Sequence, residues 1–221
     1  GVVKRTPVTE FHNINKKGKL AITLNEGDTL AYVKATSGDE DIIIAGDNGK
    51  AIRFPEKDIR LMGRTAAGVK GFNTDGGKVV GMALSSEGDT LFALSENGFG
   101  KRSYLADYRL TNRGGKGVRT INVTDKTGPL VALTAVSGDE DAMIVTSNGQ
   151  MIRVHLQDIS IYSRNTQGIS VIRTGENDKV LRVTLTEHED DSVDTPIPAE
   201  TAESETSEQK KPAEEAEKQP A

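Results

Sequence analysis

The sequence predicts an all-β fold built from repeated four-stranded units, and three observations carry that prediction. The chain echoes itself about every fifty residues: 47–73 reads DNGKAIRFPEKDIRLMGRTAAGVKGFN, 96–122 reads ENGFGKRSYLADYRLTNRGGKGVRTIN, and 147–173 reads SNGQMIRVHLQDISIYSRNTQGISVIR. Helical spacing of apolar residues is nearly absent, whereas short apolar or alternating runs recur throughout. Gly, Asn and Asp punctuate those runs, as tight turns with positive φ require. Spacings of 49 and 51 residues mean a radial or stacked array, and four strands per unit describe a β-propeller blade.

In chain order, the strand candidates are 20–24 (LAITL), 30–35 (LAYVKA), 41–45, 51–54, 79–85 and 90–95, followed by 101–105, 117–123, 130–136, 141–146, 151–156, 168–173 and 180–186. Glu26-Gly27-Asp28, Ser37-Gly38-Asp39, Glu87-Gly88-Asp89 and the three Asn-Gly pairs supply the turns between them. The units are drawn at about 1–48, 49–97, 98–148 and 149–186. The first aligns through Gly1, Arg5, Glu10 and Phe11. Propellers have four to eight blades, so ring closure is expected to need residues upstream of Gly1, and the chain is read as a fragment.

Each full copy repeats an arginine, an aspartate, a second arginine and a glycine at fixed offsets from its Asn-Gly turn. These are Arg53, Asp58, Arg64 and Gly68; Arg102, Asp107, Arg113 and Gly117; and Arg153, Asp158, Arg164 and Gly168. In Ile52-Arg53-Phe54 and Ile152-Arg153-Val154, strand alternation points the apolar neighbours one way and the arginine the other. The first arginine is therefore expected to face solvent. The second falls in a Gly-rich loop. Together they predict a belt of positive charge around the rim, with Lys4, Arg5, Arg60, Lys70, Lys101, Arg109 and Arg119 completing the set. Such cations supply sequence-independent affinity for phosphates, and Gly114, Gly115 and Gly117 around Lys116 would let backbone N–H groups approach one closely. The competing reading pairs the arginines with Asp58, Asp107 and Asp158 and makes the glycines a tight turn.

Charge is distributed unevenly. From Glu187 onward there are 12 acidic and 3 basic residues, a net −9, which leaves 1–186 with 21 acidic and 25 basic residues, a net +4. The acid-rich 187–221 stretch is nearly devoid of large apolar residues and is expected to be disordered. Cysteine is absent, which excludes disulfides and thiolate metal sites. The longest strictly apolar run, Ile42–Ala45, is far short of a bilayer span, and no signal-peptide pattern is present.

VVKRTPVTEF, AIRFPEKDIRLMGRTAAGVKGF, ENGFGKRS and YSRNTQGISVIRT resemble the C-terminal domain of the A subunit of DNA gyrase over nearly all of 1–186. That family is a six-bladed variant propeller, the β-pinwheel, in which neighbouring blades exchange strands. It wraps duplex DNA around a basic perimeter and feeds it to the cleavage gate. The resemblance implies an ATP-dependent type IIA topoisomerase holoenzyme of two A and two B subunits in the bacterial cytoplasm, associated with the nucleoid. ATP and Mg2+ would be bound largely by the partner subunit, and no cofactor or active site is implied for this segment. The family's box, Gln-Arg-Arg-Gly-Gly-Lys-Gly, is not intact here. Thr111–Gly117 keeps its last five residues and loses the first two. The related subunit of topoisomerase IV and a protein-interaction propeller are the alternatives. The absence of Trp and the nine aromatic residues speak against the latter and against base stacking.

The twin Ser-Gly-Asp-Glu-Asp segments, 37–41 and 137–141, lack the alternating spacing of a calcium loop and read as solvated turns. Gly98-Phe99-Gly100-Lys101 does not meet the phosphate-loop pattern. His12, His155 and His188 are scattered along the chain, so no metal or catalytic role is assigned to them.

Overall fold

The computed structural model describes residues 1–189. The strands are β1 (Val2–Val3), β2 (Asp41–Gly46), β3 (Lys50–Pro55), β4 (Val69–Lys70), β5 (Val79–Leu84), β6 (Thr90–Ser95) and β7 (Phe99–Tyr104). They continue with β8 (Val118–Arg119), β9 (Leu130–Val136), β10 (Glu140–Thr146), β11 (Met151–His155), β12 (Ile169–Ser170) and β13 (Val180–Glu187). Each Asn-Gly pair closes a hairpin: β2–β3, β6–β7 and β10–β11 are antiparallel, with Ile43 opposite Arg53, Phe92 opposite Arg102 and Met143 opposite Arg153. The unit boundaries drawn at 48, 97 and 148 therefore fall inside hairpin turns.

Sheet order is β5-β2-β3-β8, then β9-β6-β7-β12, then β13-β10-β11, with β1 and β4 forming a two-stranded ribbon. The outer strand of each four-stranded sheet comes from the following repeat. β8 pairs Ala51 with Val118, and β12 pairs Gly100 with Ile169. This exchange explains the repeat glycine. Gly117 has φ +67°, and a Cβ there would lie 2.3 Å from the Ala51 carbonyl oxygen. Gly168 repeats the approach at 2.3 Å from the Gly100 carbonyl oxygen. Only a residue without a side chain lets the two backbones meet at this distance and conformation.

Both faces of the inner strands are buried, which is why DIIIA and TLFAL read as continuous apolar runs rather than alternating ones. Ile42 and Ile44 join Ile52, Phe54 and Phe72 in one cluster, while Ile43, Ala45 and Ala83 pack with Leu91 and Leu133 of the next sheet. Phe92 and Leu94 in turn meet Ala142, Ile144 and Leu156. The cores thus sit between successive sheets.

Two predicted strands do not form. Residues 20–24 and 30–35 have no strand pairing, and Leu20, Leu24, Leu30 and Val33 are exposed. By repeat register, 30–35 occupies the position of β5, and among the described residues no hairpin stands beside it as β2–β3 stands beside β5. A strand needs a hydrogen-bonding partner, and propensity does not supply one. At the other end, β13 runs to Glu187 and His188 packs beside it, past the boundary placed at 186. The remainder of the acid-rich segment, 190–221, lies outside the described residues.

Candidate nucleic-acid interface

Arg53 and Arg102 are turned away from solvent, whereas Arg153 is exposed as expected. Arg53 donates from Nε and Nη2 to Asp41 Oδ2 at 2.9 and 2.7 Å, and from Nη1 to the Leu105 and Tyr108 carbonyl oxygens at 3.1 and 3.3 Å. Arg102 is 9% exposed and donates to the Ile159 and Gln157 carbonyl oxygens at 2.8 and 3.3 Å. Those carbonyls belong to the one-turn 3-10 segments Leu105–Asp107 and Leu156–Asp158 and the residues just beyond them, in the following repeat. The backbone of the same arginine bridges forward as well, Arg53 to Leu110 and Arg102 to Ile161. Strand alternation does turn the arginine away from its own hydrophobic partners, but that other face packs on the next repeat. The expectation of solvent-facing arginines is corrected accordingly: Arg53 and Arg102 clasp one unit to the next.

Arg5 and Arg153 hold the equivalent positions at the two ends. Arg5 meets the buried Glu56 carboxylate at 3.4 Å, and the Glu56 carboxylate also accepts from Thr36 Oγ1 and the Glu40 amide. Burial works to raise the Glu56 pKa, but these hydrogen bonds outweigh it and hold the carboxyl below its usual range. Arg153 Nε donates to Asp141 Oδ2 at 2.6 Å. The predicted partners Asp58, Asp107 and Asp158 do not take up these guanidinium groups.

Lys101, expected on the rim, is fully buried. Its Nζ donates to the Ser163 carbonyl oxygen, to the Arg164 carbonyl oxygen at 2.8 Å and to Thr166 Oγ1 at 3.1 Å. Burial, reinforced by the Arg164 charge, lowers its pKa to about 8. Lys4 holds the matching place one sheet earlier, on the carbonyl oxygens of Ala21 and Arg64. Both lysines cap the loop that carries a second arginine; Lys101 is thereby withdrawn from the outer surface, while Lys4 is half-buried.

The second arginines do line an exposed edge. Arg113 donates to the carbonyl oxygens of Lys70 and Asp58 at 2.9 and 3.1 Å, and Arg164 to that of Arg119 at 2.8 Å. Arg64 donates to the Leu20 carbonyl oxygen at 3.0 Å. Each thus reaches onto the backbone of the preceding repeat; for Arg113 and Arg164 the acceptors include the exchanged strands β4 and β8, whose own cations Lys70 and Arg119 are exposed. Arg60 and Arg109 are exposed beside the 3-10 segments. Lys116 is 66% exposed and shares Asp75 with Lys50, at 3.2 and 3.5 Å. Such surface pairs are weak and screened by salt. Gly114 and Gly115 lie in the same loop, and the Gly115 carbonyl oxygen accepts from the Asn73 amide at 2.9 Å.

Cations absent from the predicted set border an open groove of about 550 Å³ beside the Asn97-Gly98 turn: Lys126, Arg173 and Lys179. Lys126 Nζ stands 5.1 Å from the Phe99 ring centroid. The recurrence of Lys78-Val79 and Lys179-Val180 ahead of a strand is the signal that marks this position in the sequence.

The structure overturns the reading of the histidines as scattered. His155 and His188 converge on Asp141, with ring centroids 3.9 Å apart. His12 stays apart from them. The Ser-Gly-Asp-Glu-Asp segments turn at their first residues, where Glu140 accepts from the Ser137 and Gly138 amides at 3.1 and 2.9 Å. The solvated-turn reading is corrected at their ends: Asp41 opens β2, and Asp141 lies within β10 and is buried.

A ladder of hairpins with exchanged outer strands and a basic edge defines a β-propeller of the strand-swapped kind. The family model described as "DNA gyrase C-terminal domain, beta-propeller" matches residues 1–37, 40–86, 89–137 and 140–187. The chain belongs to this family. Its segments start at 40, 89 and 140, ahead of each hairpin, as the sheets do. The chain is 44% identical over 186 residues to the A subunit of DNA gyrase from Ureaplasma parvum serovar 3, and 46% identical over 186 residues to that of Staphylococcus aureus strain MRSA252. These alignments cover 84% and 83% of the chain and 22% and 21% of the relatives, so the chain spans about a fifth of their length. A solved DNA gyrase A C-terminal domain superposes with a TM-score of 0.73 at 28% identity, over 84% of this chain and 62% of that one. The C-terminal domain of a DNA topoisomerase IV shares the fold, with a TM-score of 0.79 at 23% identity over 85% of this chain and 59% of that one.

Proposed function

We propose that this chain binds and bends duplex DNA without sequence preference, as the DNA-wrapping part of a gyrase A protein. The observation that carries the reading is the exposed edge on which Lys70 and Arg119 recur on exchanged strands with Arg113 and Arg164 beside them. Cations repeated at one position per blade match the periodic phosphates of a duplex passing along the edge, and they read charge rather than base identity. Arg60, Arg109 and Lys116 extend the same edge. The whole protein would serve an ATP-dependent topoisomerase of two A and two B chains, with ATP and Mg2+ held by the partner subunit.

Titration of the protein against unrelated duplexes at several salt concentrations tests the reading. Affinity is expected to be similar for each duplex and to fall with a log–log slope of roughly −0.9 per phosphate contact. A flat salt response sinks it. The Arg113→Ala, Lys116→Ala double variant is expected to bind all duplexes more weakly by a similar factor. Unchanged binding would remove this loop from the interface.

A further inference from the structure

The third sheet carries a side-chain cluster that DNA binding does not use. Asp141 lies on β10 directly opposite His155 on β11, and His188 follows the end of β13, the strand on the other side of β10. Three adjacent strands therefore deliver one side chain each to the same end of the sheet. His155 Nδ1 is 2.9 Å and His188 Nδ1 2.8 Å from the same oxygen, Asp141 Oδ1. Asp141 is 2% exposed, and its other oxygen is held by Arg153 at 2.6 Å. The donor atoms of all three groups lie within 4.8 Å of one another.

We propose that Asp141, His155 and His188 form a binding site for a divalent transition-metal ion, with Zn2+ the best fit. Two imidazole nitrogens and one carboxylate oxygen are a borderline donor set that suits zinc and its first-row neighbours over magnesium or calcium. Three protein ligands leave the fourth tetrahedral position to water. Ligand atoms at about 2.0–2.2 Å from zinc stand roughly 3.4 Å apart, so each imidazole needs to withdraw only about half an ångström from Asp141 Oδ1. His188 lies at the exposed sheet end and has room to do so.

The surroundings orient the ligands. Gln157 Oε1 is 3.4 Å from His155 Nε2. When Nε2 carries the proton donated there, Nδ1 presents its lone pair to Asp141, the arrangement typical of a metal-bound histidine with an outer hydrogen-bond partner. Two lone pairs and a carboxylate oxygen facing one point repel unless protons or a cation lie between them. Arg153 fixes the carboxylate through Oδ2 and leaves Oδ1 for the metal, though its positive charge lowers the affinity. The repeat does not require this cluster: the residues at the His155 position in the first two sheets are Pro55 and Tyr104. A bound ion would fasten the end of β13 to β10 and β11 where the acid-rich segment begins.

The full chain, stripped of metal, is titrated with Co2+ and followed by visible absorption, then with Zn2+ in competition. Expected are one ion per chain, a d–d spectrum of a four-coordinate nitrogen–oxygen site, displacement by Zn2+ and a rise in melting temperature on Zn2+ addition. His155→Ala and His188→Ala should each weaken binding by at least tenfold and abolish the thermal shift, while His12→Ala leaves both unchanged. Asp141→Asn is set aside because Arg153 depends on that carboxylate, and metal-free melts of both histidine variants confirm folding. If both variants bind as the parent does, the ions sit on the acid-rich segment and the proposal is overturned. Absence of saturable binding overturns it as well.

Discussion

The arginine four residues after each Asn-Gly turn and the arginine eleven residues later are the same group at the same period, yet the fold uses them in opposite ways. Arg53 and Arg102 are turned into the seam between repeats and donate to backbone carbonyls at the next 3-10 segment, Arg53 also holding Asp41. Arg113 and Arg164 stay on the outer edge, where they touch the exchanged strands and keep part of the guanidinium in water. A repeated cation in a β-array is thus equally well a clasp or a contact surface. The neighbouring repeat decides which.

The largest expected effect breaks the clasp. Arg102→Ala removes the donor from the buried Ile159 carbonyl oxygen and the part-buried one of Gln157 and should cost about 3 kcal/mol in urea unfolding. Arg102→Lys should restore little, because a single ammonium cannot reproduce the guanidinium fork. DNA affinity of the folded variant is expected to stay near the parent value, which separates the clasp from the rim. An Arg102→Ala variant as stable as the parent would erase the difference between the two arginines.

Gly117→Ala comes next. A Cβ 2.3 Å from the Ala51 carbonyl oxygen at φ +67° forces the exchanged strand away from its sheet, and strain of this kind costs on the order of 1–3 kcal/mol. The same substitution at Gly76, where nothing lies within 4 Å of the added carbon, meets only its positive φ. It should cost less, and the difference in urea midpoint between the two variants isolates the steric part.

Lys101 gives a pH test. Its folded pKa of about 8 lies below the 10.5 of an ordinary lysine, so the folded chain binds fewer protons between those values. Its contribution to stability is therefore complete above pH 10.5 and is lost as pH falls through 8. Lys101→Met should flatten the stability profile across that window relative to the parent, and NMR of the lysine ε-methylene should show the titration near 8.

The smallest effect on stability belongs to the rim. Arg113→Ala with Lys116→Ala should change unfolding by less than about 0.5 kcal/mol, while reducing the steepness of the salt dependence of DNA binding by up to about 1.8. A large loss of stability would place these side chains with the clasp instead.

Much of the fold was legible in the sequence because a repeat reports the same local physics several times over. Turns at Asn-Gly and strands such as 90–95 and 130–136 coincide with the observed elements. The failures share one cause. Residues 20–24 and 30–35 have the composition of strands and lack a partner at their register. The long candidates 117–123 and 168–173 shrink to two-residue strands because each lends only a short edge to the preceding sheet. Pairing is a property of two segments, and a single sequence window contains only one of them.

The sequence by itself determined the period, the hairpins, the excess of positive charge in 1–186 and the positions at which cations recur, since all of these follow from local pattern and count. Tertiary structure alone decided that Lys101 is buried, that Arg53 and Arg102 face a neighbouring repeat, and that Asp141, His155 and His188 meet across three strands. The histidine cluster follows from the pairing of β11 and β13 on either side of β10, and for the buried cations the physical reason is the exchange of strands between repeats. It brings residues about fifty to seventy positions apart to van der Waals distance, and it buries the face of each sheet that alternation alone would leave to water.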